Sequence, residues 1–196
     1  MRTLMLLILG VTSSWAVDYE LMLEDPDIFA PCTDGPPGSI NARQAVNLDD
    51  FVIEHESDIL HLSGNATLIW DVRPTDRIAA RVDLLHFNRG TWEPTIFSIS
   101  NQDFCPIMYD KNQYWYKYWT QYVSNQHEVA KKCLREPGTV LEHEPFDLRL
   151  KIENVHGPTL RGRHKMVIKL QAFDEKNIPR PNSICVEIRG ELLKLK

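Results

Sequence analysis

The sequence of 196 residues has no apolar run near the roughly 20 residues that a membrane-crossing helix needs. It also has no block of Lys and Arg. Its 22 basic residues stand against 27 acidic ones, a net charge of −5, so nucleic acid is not expected as a partner. The longest basic clusters, Arg161-Gly162-Arg163-His164-Lys165 and Lys131-Lys132, read as solvated turn residues. The short motifs of catalysis are missing too. His55-Glu56, His127-Glu128 and His143-Glu144 each lack the second histidine of H-E-x-x-H. There is no G-x-S-x-G elbow and no C-x-x-C or C-x-x-H pair. Asp49, Asp50, Asp71, Glu142 and Glu144 fall outside a D-x-D-x-D-G loop and read as solvated charge. His61 and His164 alternate with apolar positions, as exposed strand residues would. No enzyme, metal site or cofactor is expected. Repeats, heptads and low-complexity tracts are absent as well.

Residues 1–16 have the pattern of a secretory signal. Arg2 supplies the charged start, Leu4 to Val11 the apolar stretch, and Ser14-Trp15-Ala16 a small-residue exit. Cleavage after Ala16 removes one base and no acid, leaving 180 residues with 21 basic against 27 acidic, a charge of −6. Cys32, Cys105, Cys133 and Cys185 all lie beyond it. An even count in an oxidising compartment reads as two disulfides, with three connectivities open. Asn65-Ala66-Thr67 is an N-glycosylation sequon. The expectation is a secreted, extracellular glycoprotein without stable membrane insertion.

Period-two alternation dominates what remains. From Leu60 to Val72 the even positions are apolar or glycine, which predicts a half-buried strand, bent or bulged at Gly64, with Asn65 toward solvent. Further alternating runs are Ile78, Ala80, Val82, Leu84; Leu148, Leu150, Ile152; Met166, Ile168, Leu170, Ala172; and Ile184, Val186, Ile188, Leu192. Tyr19–Leu23 and Phe51–His55 are weaker runs. Seven or eight strands with one inserted helix predict an antiparallel β-sandwich over residues 17–196, as a single domain.

The helix is expected over about 111–123. Residues 114 to 122 hold six of the chain's eighteen Phe, Trp and Tyr residues. Asp110 would cap the helix, with Gln113 as its capping-box partner. Trp115, Tyr118, Trp119 and Tyr122 fall at i, i+3, i+4 and i+7 and share one face; Tyr114 and Tyr116 lie off it. Packing on the protein's own core is the first reading of that stripe, and contact with a partly apolar ligand the second.

The order of these features resembles a known family. A Cys near the mature start is followed by Phe104-Cys105-Pro106 and an aromatic segment. Cys133 then precedes Glu136-Pro137-Gly138-Thr139, and a last Cys precedes Gly190-Glu191-Leu192. This resembles the insect chemosensory secreted proteins of the CheA and CheB type, distant relatives of the ganglioside-activator and ML lipid-recognition proteins. The resemblance implies an immunoglobulin-like β-sandwich whose sheets part around a lipid. It also implies nested disulfides, here Cys32–Cys185 and Cys105–Cys133. The implied role is a carrier or presenter of a lipid or hydrocarbon pheromone, with a sensory receptor or channel as possible partner. Inward rows containing Leu68, Trp70, Val82, Leu84, Ile168, Leu170 and Ile188 would then line the pocket with the aromatic stripe; ordinary core is the alternative for each. The rival function is a secreted interaction module with a solid core that docks a receptor through its aromatic helix.

Overall fold

The structure is a computed structural model, and it describes residues 16–157 and 159–195. The expected signal segment, residues 1–16, lies outside the described residues except for Ala16. Ten strands follow: β1 (Val17–Leu23), β2 (Val46–Asn47), β3 (Phe51–Glu56), β4 (Ile59–Leu68), β5 (Arg77–Asn88), β6 (Thr91–Asn101), β7 (Val140–Leu148), β8 (Lys151–Val155), β9 (Gly162–Phe173) and β10 (Ile184–Lys194). Three one-turn helices interrupt them: α1 (Ala42–Ala45), α2 (Tyr114–Tyr118) and α3 (Gln126–Val129). The chain is thus mainly β, as the alternation predicts.

The strands form two antiparallel layers. The larger sheet runs β6-β5-β9-β10-β1-β8. In the smaller one β4 is central, with β7 on one edge and β3 and β2 sharing the other. Cross-strand partners such as Val82↔Ile168 and Leu21↔Leu192 place the even-numbered apolar rows of β5, β9 and β10 on the inner face. In β4 the row Leu60, Leu62, Ala66 and Leu68 is buried, and Asn65 is exposed. At a strand spacing of about 4.8 Å, six strands span about 24 Å and three only about 10 Å. The smaller sheet therefore cannot cover the larger. The long excursion between β6 and β7 meets part of the remainder, where the Phe104 amide donates to the Ile78 carbonyl at 2.7 Å.

Gly64 is a bulge, as expected: the β4–β7 register shifts between Leu62 and Gly64, and Gly64 adopts φ +106. A Cβ there would lie 2.1 Å from the Asp50 carbonyl oxygen, so only glycine fits. Both disulfides close within the structure, Cys32–Cys185 and Cys105–Cys133, the pairs that the resemblance implies.

Several expectations need correction. The strand from Leu60 ends at Leu68, although Trp70 and Val72 remain buried. The run Leu148, Leu150, Ile152 is two strands in different sheets, separated by Arg149 and Leu150. Strand β6 was concealed by Pro94 and by a register shift between Asp83 and Leu85 on its partner, which spoil the alternation. Nor is the cluster 161–165 a solvated turn, because His164 and Lys165 are each only 2% exposed within β9. Lys165 lies on the outer face of the sheet beneath the segment anchored by Cys32. Its ammonium reaches Glu187 at 3.3 Å and Asp34 at 3.1 Å, so the buried charge is paired.

Candidate functional site

The expected continuous helix over 111–123 is in fact three pieces. Asp110 does not cap α2. Its carboxylate instead accepts from the Asn112 amide at 2.9 Å and from the Gln113 side chain at 3.3 Å, forming an Asx turn ahead of the helix. Gln113 occupies the N-cap position without a side-chain cap bond. After Tyr118 the backbone leaves the helix at Trp119, with φ −143 and ψ −67, and resumes as a 3₁₀ turn over Thr120–Tyr122. The physical reason is the destination of the Trp119 ring. A straight helix would keep it stacked above Trp115, whereas the break turns it toward the inner face of the smaller sheet.

There Trp119 meets Phe29, Phe51, His143 and Phe146 with ring centroids at 5.6, 5.6, 5.1 and 6.3 Å. Phe51, His143 and Phe146 sit on the inner face of the smaller sheet, since they pair with Gly64 and Leu62 of β4. Phe29 belongs to the segment that runs beside β10, where the Glu187 amide donates to the Ala30 carbonyl. Trp119 therefore joins the inner face of the smaller sheet to the segment beside β10. Tyr122 stacks on Phe146 at 3.9 Å and 9°. Phe29, Trp119, Tyr122 and Phe146 are half-buried, so the cluster packs on the core without being fully covered.

The rest of the stripe serves the core. Trp115 packs edge-on against Phe104, and its indole N–H donates to the Ile107 carbonyl at 3.0 Å. The Tyr118 hydroxyl donates to the Lys151 carbonyl in β8. The Cys105–Cys133 disulfide closes the excursion that carries both residues. Tyr114 is 50% exposed, pointing off the stripe as expected.

The inward-row candidates divide by burial. Leu68, Trp70, Leu84 and Ile188 are buried, Trp70 completely, with its indole N–H donating to the Asn182 carbonyl at 2.8 Å. Val82, Ile168 and Leu170 are half-buried on paired strands of the large sheet, Val82 facing Ile168. The structure thus brings Trp119 and Tyr122 into one half-buried cluster, keeps Trp115 and Tyr118 nearby, and leaves the inward-row residues in or beside the core. Sequence reading missed Phe29, Phe51 and Phe146. The weak alternation from Phe51 held a trace of one of them, but Pro145 obscured the other strand.

Burial holds the His143 imidazole below its ordinary pKa, against the opposing pull of the Leu141 and Gly64 carbonyls. Its Nδ1 lies 3.2 Å from the Leu141 carbonyl oxygen. Burial likewise pushes the Tyr109 phenol up to about 12, so it stays neutral. His61 does pair with Asp147 at 2.6 Å, but on the outer side of β4. Among the described residues no group of three His, Cys, Asp or Glu side chains is arranged to hold a metal, and no helix is long and apolar enough to cross a membrane. What the arrangement offers is aromatic and aliphatic surface, suited to holding an apolar body.

No protein-family model matches the chain, and no curated protein does. Among solved structures it is similar to that of chicken MD-1 complexed with lipid IVa, at 14% identity and a TM-score of 0.26, over 73% of this chain and 82% of that one. At that TM-score the likeness carries no argument about function.

Proposed function

We propose that this chain is a secreted, non-enzymatic carrier or presenter of an apolar ligand, a lipid or hydrocarbon pheromone, acting in chemosensation as one domain over residues 17–196. The observation that carries the reading is the half-buried aromatic cluster around Trp119, packed on the inner face of the smaller sheet beside the Phe29 segment. Each ligand methylene buried there contributes about 0.8 kcal/mol, so ten give up to about 8 kcal/mol before association costs, without polar chemistry. Two disulfides support an oxidising, extracellular destination, and exposed Asn65 suits a glycan. The chemosensory part rests on the motif order alone.

The test is native mass spectrometry and solvent extraction of the mature protein from a secreting host. A reproducible bound apolar species, or uptake of added fatty acid, supports the carrier. A protein that takes up no lipid and instead binds a sensory membrane protein overturns it in favour of the docking module.

A further inference from the structure

A surface pocket of about 280 Å³ opens where β1 begins and β8 and β10 end, lined among others by Val17, Tyr19, Val155, Thr159, Arg161 and Lys194. Two of its lining residues belong to the buried core, Tyr19 at 2% and Val155 at 6% exposure. Two cations stand at its rim, and its lining includes no Asp or Glu. Neither Arg161 nor Lys194 makes a salt bridge among the described residues. By contrast Arg163, Lys165, Arg180 and Arg189 each hold a carboxylate. The volume lies below the roughly 300–1,000 Å³ of sites that enclose a whole drug-sized ligand, so the pocket suits a single charged group.

The register connects this pocket to the interior. Leu21 faces Leu192 and Tyr19 faces Lys194, so Lys194 ends the same inward row of β10 that holds Ile188, Gly190 and Leu192. Arg161 precedes Gly162, which faces Leu192 from the opposite edge of that strand. The buried apolar row of β10 therefore ends at Lys194, which shares the pocket with Arg161, neither forming a salt bridge among the described residues. Such an arrangement matches a molecule with an anionic end and an apolar body, since guanidinium and ammonium bind carboxylate and phosphate oxygens through charge-assisted hydrogen bonds.

We propose that this pocket binds an anionic group, a carboxylate or a phosphate, between Arg161 and Lys194. For the apolar body the inference rests on the carrier reading; for the anion it stands on the pocket alone. The test titrates the intact protein and the double variant Arg161→Gln, Lys194→Gln with a fluorescent fatty acid, its methyl ester and inorganic phosphate. A thermal melt first shows both proteins folded, as exposed positions allow. Expected is at least a tenfold weaker acid affinity in the variant, about 1.4 kcal/mol, with ester uptake unchanged. Phosphate that competes with the acid, and loses this ability in the variant, identifies a free-anion site. Acid binding indifferent to phosphate identifies a headgroup site. Either result supports the proposal. Equal acid and ester affinities in the parent, or acid and phosphate binding that survive both substitutions, overturn it. If neither acid nor ester binds while phosphate does so through these two residues, the carrier reading falls and the anion site stands.

Discussion

Trp119 does two things that an ordinary surface aromatic does not: it sits where its own helix ends, and it packs on Phe51 and Phe146 of the smaller sheet and on Phe29 of the segment beside β10. Losing it should therefore affect stability and uptake together. Truncating a fully buried aromatic costs about 3–5 kcal/mol, and for this half-buried ring about 2–3 kcal/mol is expected for Trp119→Ala. The variant should remain folded by circular dichroism, melt earlier, and take up a fluorescent fatty acid less well than the parent. Tyr116→Ala, removing a ring that is not part of the cluster, should leave uptake unchanged. Equal uptake by the parent and both folded variants would place the ligand site away from the cluster. The residue scale is also where sequence reading was weakest. The spacing of Trp115, Tyr118, Trp119 and Tyr122 is the same whether a helix runs on or breaks, so it identified the aromatic face without revealing that one ring turns inward. Likewise Lys165 sits in a run of basic residues, and only the distant Glu187 and Asp34 explain its burial.

Among the elements, β4 and the excursion between β6 and β7 carry separate expectations. Gly64 and Gly138 both have positive φ, at +106 and +86, but only Gly64 is crowded, while nothing lies within 4 Å of a Cβ on Gly138. Gly138→Ala should cost about 1 kcal/mol, the conformational part alone. Gly64→Ala should cost about 2–4 kcal/mol, since the backbone of Asp50 must also move. Urea denaturation of the pair separates the two contributions, and equal losses would show that the contact yields freely. For the disulfides, the sequence separations of 28 and 153 residues imply chain-entropy losses of about 3.5 and about 5 kcal/mol when each pair is changed to serine. Non-reducing peptide mapping checks the pairing itself; a Cys32–Cys105 peptide would contradict it. Long strands with an unbroken inward row, β5, β9 and β10, were legible from alternation because burial on one face imposes period two. Strand β6 and the β7–β8 break were not, because Pro94 and Pro145 interrupt the pattern and a change of sheet leaves no mark on apolar spacing.

For the whole molecule, acid should act in two windows. Burial holds His143 and His164 below the ordinary imidazole value of 6.5. Below that pH the unfolded chain takes up protons that the folded chain refuses, so stability falls with pH. His61, raised by its Asp147 hydrogen bond, works in the opposite sense, but it is one exposed group against two buried ones. Lower still, Arg180 holds the Asp76 carboxyl below 3.8. Burial opposes the same shift in Glu187, yet the Thr33 amide and Lys165 hold that carboxyl below 4.5. Stability present above those values is lost as pH falls through the folded ones. Melting temperatures should therefore drop as pH falls below about 6.5 and again below about pH 4, and His143→Gln should flatten the first step. A parent melt that is level across the first window would refute the histidine assignment. The crossing from β7 to β8 has a mechanical meaning of its own. Only Arg149 and Leu150 separate strands of opposite sheets, and Arg149 is pinned to Asp58 and Glu20. A two-residue crossing held by two ion pairs fixes the spacing of the sheets there, as a staple fixes two pages at one point.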